Sequence, residues 1–358
     1  MKKGRPFLTY LIIILILAAA GGAVLLSSRQ SSSSAAKSAS EESGIMVTGG
    51  VKHTVPLNEI LTVLPKDAIP AIDDPKFVSA SQANLNGEDI VLGLFFEGQA
   101  RAYPLAIMNW HEIINDRING KPVAVTYCPL CGTGIAFDSR IGGKETTLGV
   151  SGKLYNSDLV MYDRATESYW SQVSGEAIRG ELAGQKLEQI HIETVRWKNW
   201  VKLHPDTLVL SRETGFSRNY DVNPYEGYDT SSAIYFPISS SDSRLGPKER
   251  VAGIEIGGKF KAYPLSVVAN RTVIHDEFNG KPLLIVEDQN TYAVKIFERE
   301  LNGQALTFEI RDRTLFDQNG NAWNFDGSSS AGKLAQLQTV EGFWFAWAAF
   351  HPETELYA

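Results

Sequence analysis

The chain has 358 residues, with 34 Lys and Arg against 41 Asp and Glu. That net charge of −7, with no clustered basic stretch, argues against nucleic acid as a partner. A hydrophobic share of 43% provides for a real core, the length calls for one large or two smaller folded units, and two cysteines are too few for a disulfide-stapled scaffold.

Lys2, Lys3 and Arg5 precede an uncharged run from Phe7 to Leu26. About 20 apolar residues suffice to cross a bilayer, and flanking positive charge holds the leading end in the cytoplasm. The apolar region of a cleaved signal peptide is shorter, so residues 1–26 are expected to be a single-pass transmembrane anchor, with a signal segment as the alternative. Either assignment makes the membrane a partner and puts the rest of the chain outside the cytoplasm. Residues 27–44 are rich in Ser and Ala and read as a flexible linker.

Residues 45–90 carry Pro56, Pro65, Pro70 and Pro75 and form an irregular lead-in, with at most a short helix near Leu57 to Leu64. From Val91 the pattern sharpens. Val91 to Phe96 and Ala100 to Leu105 predict a β-hairpin with Gly98 in its turn. Leu105 to Ile114 fits a short amphipathic helix. Asn119-Gly120-Lys121-Pro122 is a turn into an apolar strand that ends at Cys128.

The same order returns. Val251 to Ile254, Gly257-Gly258, Ala262-Tyr263-Pro264-Leu265 and Asn279-Gly280-Lys281-Pro282 repeat the first set at a constant shift (251 − 91 = 160). Farther on, Trp197-Lys198-Asn199-Trp200 before His204-Pro205 resembles Trp344-Phe345-Ala346-Trp347 before His351-Pro352. The expected fold is therefore a β-dominated α+β protein, internally duplicated into two pseudo-twofold lobes. Each lobe has a hairpin, a short helix, further strands and a closing aromatic helix. The first spans 91–211, a connection runs over 212–250, and the second spans 251–358.

Both cysteines fall in Thr126-Tyr127-Cys128-Pro129-Leu130-Cys131-Gly132-Thr133. Two intervening residues put both sulfurs on one side of a tight turn. At the shift of 160, Cys128 falls on Asp288, Cys131 on Thr291 and His111 on Arg271, so the second lobe keeps the frame without the sulfurs. Three readings follow. A structural disulfide suits an oxidising compartment, although so short a loop adds little chain-entropy stabilisation. A metal site has Cys128 and Cys131 as ligands and His111 as the natural third, a donor set for copper or zinc. A thiol–disulfide redox centre would need a strand leading into a long helix, and a second β-like run (Ile135 to Phe137) follows instead.

Downstream, Leu154 to Arg164 and Glu167 to Trp170 form a polar-aromatic segment. Asn156, Asp158, Asp163, Arg164 and Trp170 are candidates to line a pocket, against the plainer reading of a hairpin with an Asp-Arg turn and a buried aromatic face. His204 and His351, present in both lobes, read as helix C-caps. No Gly-x-Ser-x-Gly elbow, phosphate loop, dinucleotide fingerprint or His-Glu-x-x-His helix is present, so no enzyme class is indicated.

Taken together, Thr126 to Thr133, Leu154 to Arg164, Trp170-Ser171-Gln172 and His204 to Ser211 resemble the prokaryotic family called domain of unknown function 3179, over roughly residues 50–358. That resemblance implies kinship and no activity. The leading expectation is a membrane-anchored, extracytoplasmic protein whose first lobe binds copper or zinc. The alternatives are a binding or scaffolding module with an inert disulfide, and a thiol oxidoreductase.

Overall fold

The computed structural model describes residues 44–358, and among these strands dominate, at 43% against 11% helix. The expected anchor and all but the end of the linker lie outside those residues. Among the described residues, no helix is long and apolar enough to cross a membrane.

The hairpin forms where the alternation places it, with Ile90–Phe96 paired to Gln99–Pro104. Leu105–His111 is helical, three residues shorter than the apolar pattern suggests. Glu112 takes a left-handed backbone, φ 58°, and this reverses the chain into the Ile113–Ile118 strand. Lys121–Cys128 pairs with that strand on one side and with Thr133–Asp138 on the other. In the lead-in, the expected short helix is one 3-10 turn at Leu57–Glu59 followed by a two-residue strand, Leu61–Thr62.

The Lys121–Cys128 strand is buried on both faces, which explains its apolar run; Thr126 within it satisfies its hydroxyl on the Ile135 carbonyl. Val123, Val125 and Tyr127 pack with Leu92, Tyr103 and Met108. Ala124 and Cys128 face a second cluster with Phe137, Met161, Trp170 and Phe343. The next strands, Leu148–Tyr155 and Asp158–Asp163, form a hairpin in a seven-stranded sheet. Its turn residues Asn156 and Ser157 both have positive φ, the twist that closes a two-residue hairpin.

A parallel series of elements follows. Arg250–Ile256 pairs with Lys259–Pro264 in the register of the first hairpin, Val251 opposite Pro264 as Val91 is opposite Pro104. The helix Leu265–Arg271 and the strands Val273–Phe278, Lys281–Glu287 and Val294–Glu298 come next. Thr272, like Glu112, ends its helix at φ 58°. The helices Trp197–Leu203 and Trp344–Phe350 pack a tryptophan over each hairpin, and His204 and His351 are their C-caps.

The packing under those tryptophans permits no side chain on the strand below. A Cβ on Gly93 would lie 2.4 Å from the Trp200 ring, and one on Gly253 would lie 2.3 Å from the Trp347 ring. Gly93→Ala and Gly253→Ala should each destabilise the protein by about 1–3 kcal/mol, read as a lower midpoint in denaturant unfolding. A midpoint unchanged in either variant would contradict this packing.

Candidate functional site

The sulfur turn is built by the end of one strand and held by the far half of the chain. The Cys128 carbonyl accepts the amides of Cys131 at 3.2 Å and Gly132 at 2.8 Å, with Gly132 at φ 65°. The Cys131 carbonyl accepts the Phe343 amide at 2.8 Å. A Cβ at Gly132 would come within 3.0 Å of the Phe343 ring, so glycine serves both the turn and the contact.

Asp158 reaches the same place from the hairpin. Its Oδ2 accepts hydrogen bonds from Ser171 Oγ at 3.0 Å and the Val173 amide at 3.1 Å. Its Oδ1 faces Cys131 Sγ at 3.7 Å, and that thiol also points at the Ser157 carbonyl, 3.5 Å away. One ligand atom from each of Cys128, Cys131 and Asp158 lies within 4.8 Å of the others. All three residues are buried, with at most 1% exposure, and the cysteines are unbridged.

Burial governs the charge of this trio. It pushes the Cys128 thiol up and the Cys131 thiol well up, the nearby acids adding to both. It lifts the Asp158 carboxyl to about 7 against the hydrogen bonds from Val173 and Ser171. Three acidic groups thus crowd one dry space that disfavours their charged forms.

Two hydroxyls beside the trio are poorly satisfied. Ser157 Oγ and Tyr228 Oη are buried without a well-formed hydrogen bond, and burial pushes the Tyr228 phenol well up, the Tyr235 backbone resisting only in part. Lys248 sits 3.2 Å over the centre of the Tyr228 ring and donates to the carbonyls of Tyr228 and Ala233. Burial lowers its pKa to about 8, with Asp229 and Cys131 pulling upward.

Of the residues singled out by sequence, the fold brings Cys128, Cys131 and Asp158 together. His111 is not among them. Its Nδ1 meets the Pro70 carbonyl at 2.8 Å, so its Nε2 is the acceptor for Tyr220 Oη at 2.7 Å. Both ring nitrogens are occupied away from the sulfurs. Asn156 ties the hairpin turn to later parts of the chain, accepting the Ser239 amide and donating to the Ala349 carbonyl. Asp163 receives the Thr166 amide and Trp170 Nε1, which makes those two residues a turn and its buried support. Arg164 pairs with Asp73 and Thr147 near the surface. Sequence reasoning gave no site role to Glu112, Tyr228 or Lys248, and read Lys248 as part of a solvated charged loop. Glu112 adjoins the sulfur turn through the neighbouring strand, its carbonyl accepting the Tyr127 amide at 2.7 Å, whereas Tyr228 and Lys248 reach it through long-range packing.

Asp288 and Thr291, the sequence counterparts of the cysteines, are buried as well. Asp288 Oδ2 lies 3.0 Å from Lys295 Nζ, which also lies 3.0 Å from Glu193. A carboxylate in the second half is therefore neutralised by a lysine.

These features define a β-rich protein with a buried sulfur–carboxylate cluster between two halves. Residues 66–354 match the family model described as a protein of unknown function (DUF3179), and the chain belongs to that family. No curated protein and no solved structure matches.

The placement of His111 has a measurable consequence. Burial drives its imidazole from 6.5 down to about 4, Arg218 adding to the fall and the Pro70 carbonyl resisting it. The folded state therefore binds fewer protons than the unfolded state between these values. Stability from the neutral ring is full above pH 6.5 and is lost as pH falls to 4. The gap in unfolding free energy between wild type and His111→Gln should narrow by about 3 kcal/mol over that interval. A constant gap would contradict a buried neutral ring.

Proposed function

We propose that Cys128, Cys131 and Asp158 hold a transition-metal ion, zinc ahead of copper. The observation that carries this is the convergence of the three ligand atoms within 4.8 Å, with one Asp158 oxygen anchored by Ser171 and Val173 and the other turned to the sulfur. The donor set fits. Two thiolates suit a soft or borderline ion, and a carboxylate in third place favours zinc over copper, which prefers sulfur and nitrogen. Three protein ligands leave a fourth position for water or a ligand, an arrangement shared with zinc sites that act on bound molecules. The unsatisfied Ser157 hydroxyl beside Cys131 supports an additional polar occupant.

The raised thiol pKa values and complete burial argue against a thiol oxidoreductase, whose attacking sulfur must be an accessible thiolate. A structural disulfide in the same turn is the second reading, favoured by the position of the cysteines one turn apart at the end of a strand.

The setting is part of the proposal. A single-pass anchor at 7–26 and the linker after it would hold the folded part outside the cytoplasmic membrane. The matched hairpin registers 160 residues apart support descent of the two halves from one duplicated unit, with the metal site retained or gained in the first alone. Alkaline phosphatase fused to the carboxyl terminus should be active in cells, and an inactive fusion would place the folded part in the cytoplasm.

Elemental analysis of the purified full chain tests the site. Wild type should carry close to one zinc or copper per chain, and Cys128→Ser/Cys131→Ser should carry none. Asp158→Asn should bind at least about tenfold more weakly, and His111→Gln should retain the ion. Equal metal in wild type and the double cysteine variant would overturn the proposal. Alkylation mass spectrometry that found both sulfurs bridged in the purified protein would favour the disulfide.

A further inference from the structure

Behind the sulfur turn lies a second, apolar space. It is a cavity of about 240 Å³ whose lining includes Leu130, between the two cysteines, and Leu159, directly after Asp158. Leu130, Leu159 and Val150 are almost fully buried and form its inner end. Lys153 and Arg218, both half-buried, line it toward solvent.

One lining group is out of keeping with the rest. Glu112 is 7% exposed, and among the described residues its carboxyl has a single long hydrogen bond, from Tyr225 Oη at 3.5 Å. A buried carboxyl so poorly partnered loses much of the stabilisation that water would give it, unless a further polar atom enters beside it. The remaining lining is largely aliphatic or aromatic. A few placed polar groups in an apolar concavity are the usual form of a small-molecule site, with the polar group setting orientation.

We propose that this cavity binds a neutral, ring-shaped apolar molecule carrying one hydroxyl or carbonyl oxygen, and that this oxygen meets the carboxyl of Glu112. Size selects the class. An apolar cavity of about 150 Å³ accommodates benzene, so 240 Å³ suits a two-ring molecule. Burial supplies affinity through the aliphatic walls, and the single oxygen supplies orientation. An anionic head beside Glu112 is disfavoured, because two acidic groups would share one apolar space. The site needs no metal at the sulfurs, so it stands or falls separately from the metal reading. It would put a bound ring against the reverse side of Leu130, the residue whose neighbours carry the ligand atoms.

Equilibrium dialysis of the full chain, against protein-free samples of the same detergent, tests this with naphthol, naphthalene and naphthoate. Naphthol should bind saturably at one site per chain. Naphthalene should bind about tenfold more weakly, the worth of one hydrogen bond, and naphthoate more weakly still. Glu112→Gln keeps a donor and should keep the preference for naphthol. Glu112→Met, of similar shape and without the oxygen atoms, should bind naphthol and naphthalene equally. Absence of saturable naphthol binding by wild type would overturn the proposal. So would a preference unchanged in Glu112→Met, or tightest binding of naphthoate, which would put the ligand's head at Arg218 and Lys153.

Discussion

Desolvation of three acids in one place is the constraint on which the site depends. An ionised carboxylate moved into a low-dielectric interior loses several kcal/mol of hydration, and a thiolate is subject to the same rule. Burial accordingly shifts the balance of Cys128, Cys131 and Asp158 toward their protonated forms, Asp158 to about 7. The second half meets the same problem differently. Asp288 occupies the position corresponding to Cys128, and Lys295 beside it bridges to Glu193. The residue corresponding to Lys295 in the first half is Ile135, which is buried and apolar. Lys248, the ammonium whose interaction reaches Cys131, is directed at two backbone carbonyls. The first half therefore has the acids of an ion cluster without a built-in cation, which is the electrostatic condition a bound metal ion satisfies.

The two halves are joined at this point. Phe343, at the end of the Val340–Phe343 strand, donates its amide to Cys131 and lays its ring against Gly132. A Cβ on Gly342 would strike the Thr133 methyl at 2.5 Å and lie 3.2 Å from the Cys131 carbonyl oxygen, so the Thr133 side chain fills the space a residue larger than glycine would need. Glu193, on the strand that borders the first hairpin, reaches Lys295 in the second half. Asn156, two residues before Asp158, ties the hairpin turn to the Ser239 amide and the closing helix. The second half thus serves the site without supplying a ligand. It covers the sulfur turn and fixes its backbone, excluding the water that would otherwise weaken the electrostatics.

What the sequence revealed follows the range of the physics involved. The hairpins, the glycine turns and the apolar strand ending at Cys128 arise from local alternation and turn chemistry, and they were legible. The helix end was not, because nothing in the apolar pattern signals that Glu112 adopts φ 58°. His111 drew notice as a histidine on the preceding helix with no counterpart in the second half. Its ring instead turns to Pro70 and Tyr220, partners 41 and 109 residues away. The segment holding Asp158 was recognised, but not which member of it mattered. Strand periodicity offered a clue: Asp158 and Asp163 lie an odd number of residues apart on one strand, on opposite faces and about 16 Å apart along it. They could not share a site. Which of the two faces met the sulfurs depended on how the seven-stranded sheet docks on the cysteine strand, and no local pattern encodes that.

The architecture also bears on how a metal ion would act here. In small zinc modules the ion supplies much of the folding free energy, since little else holds the ligands together. Here the ligands are placed by other means. Cys128 ends a strand buried in two apolar clusters, Cys131 is fixed through Phe343, and Asp158 is oriented by Ser171 and Val173. Such a frame holds the three side chains together by packing and hydrogen bonds alone. The binding energy of a proposed ion would then go chiefly into displacing protons from the ligands rather than into folding. Because all three side chains are closed off from solvent, an ion would have to enter through a local opening of the sheets around them. That placement of the ligand side chains by the scaffold itself is what distinguishes this cysteine turn from a zinc knuckle of the same spacing.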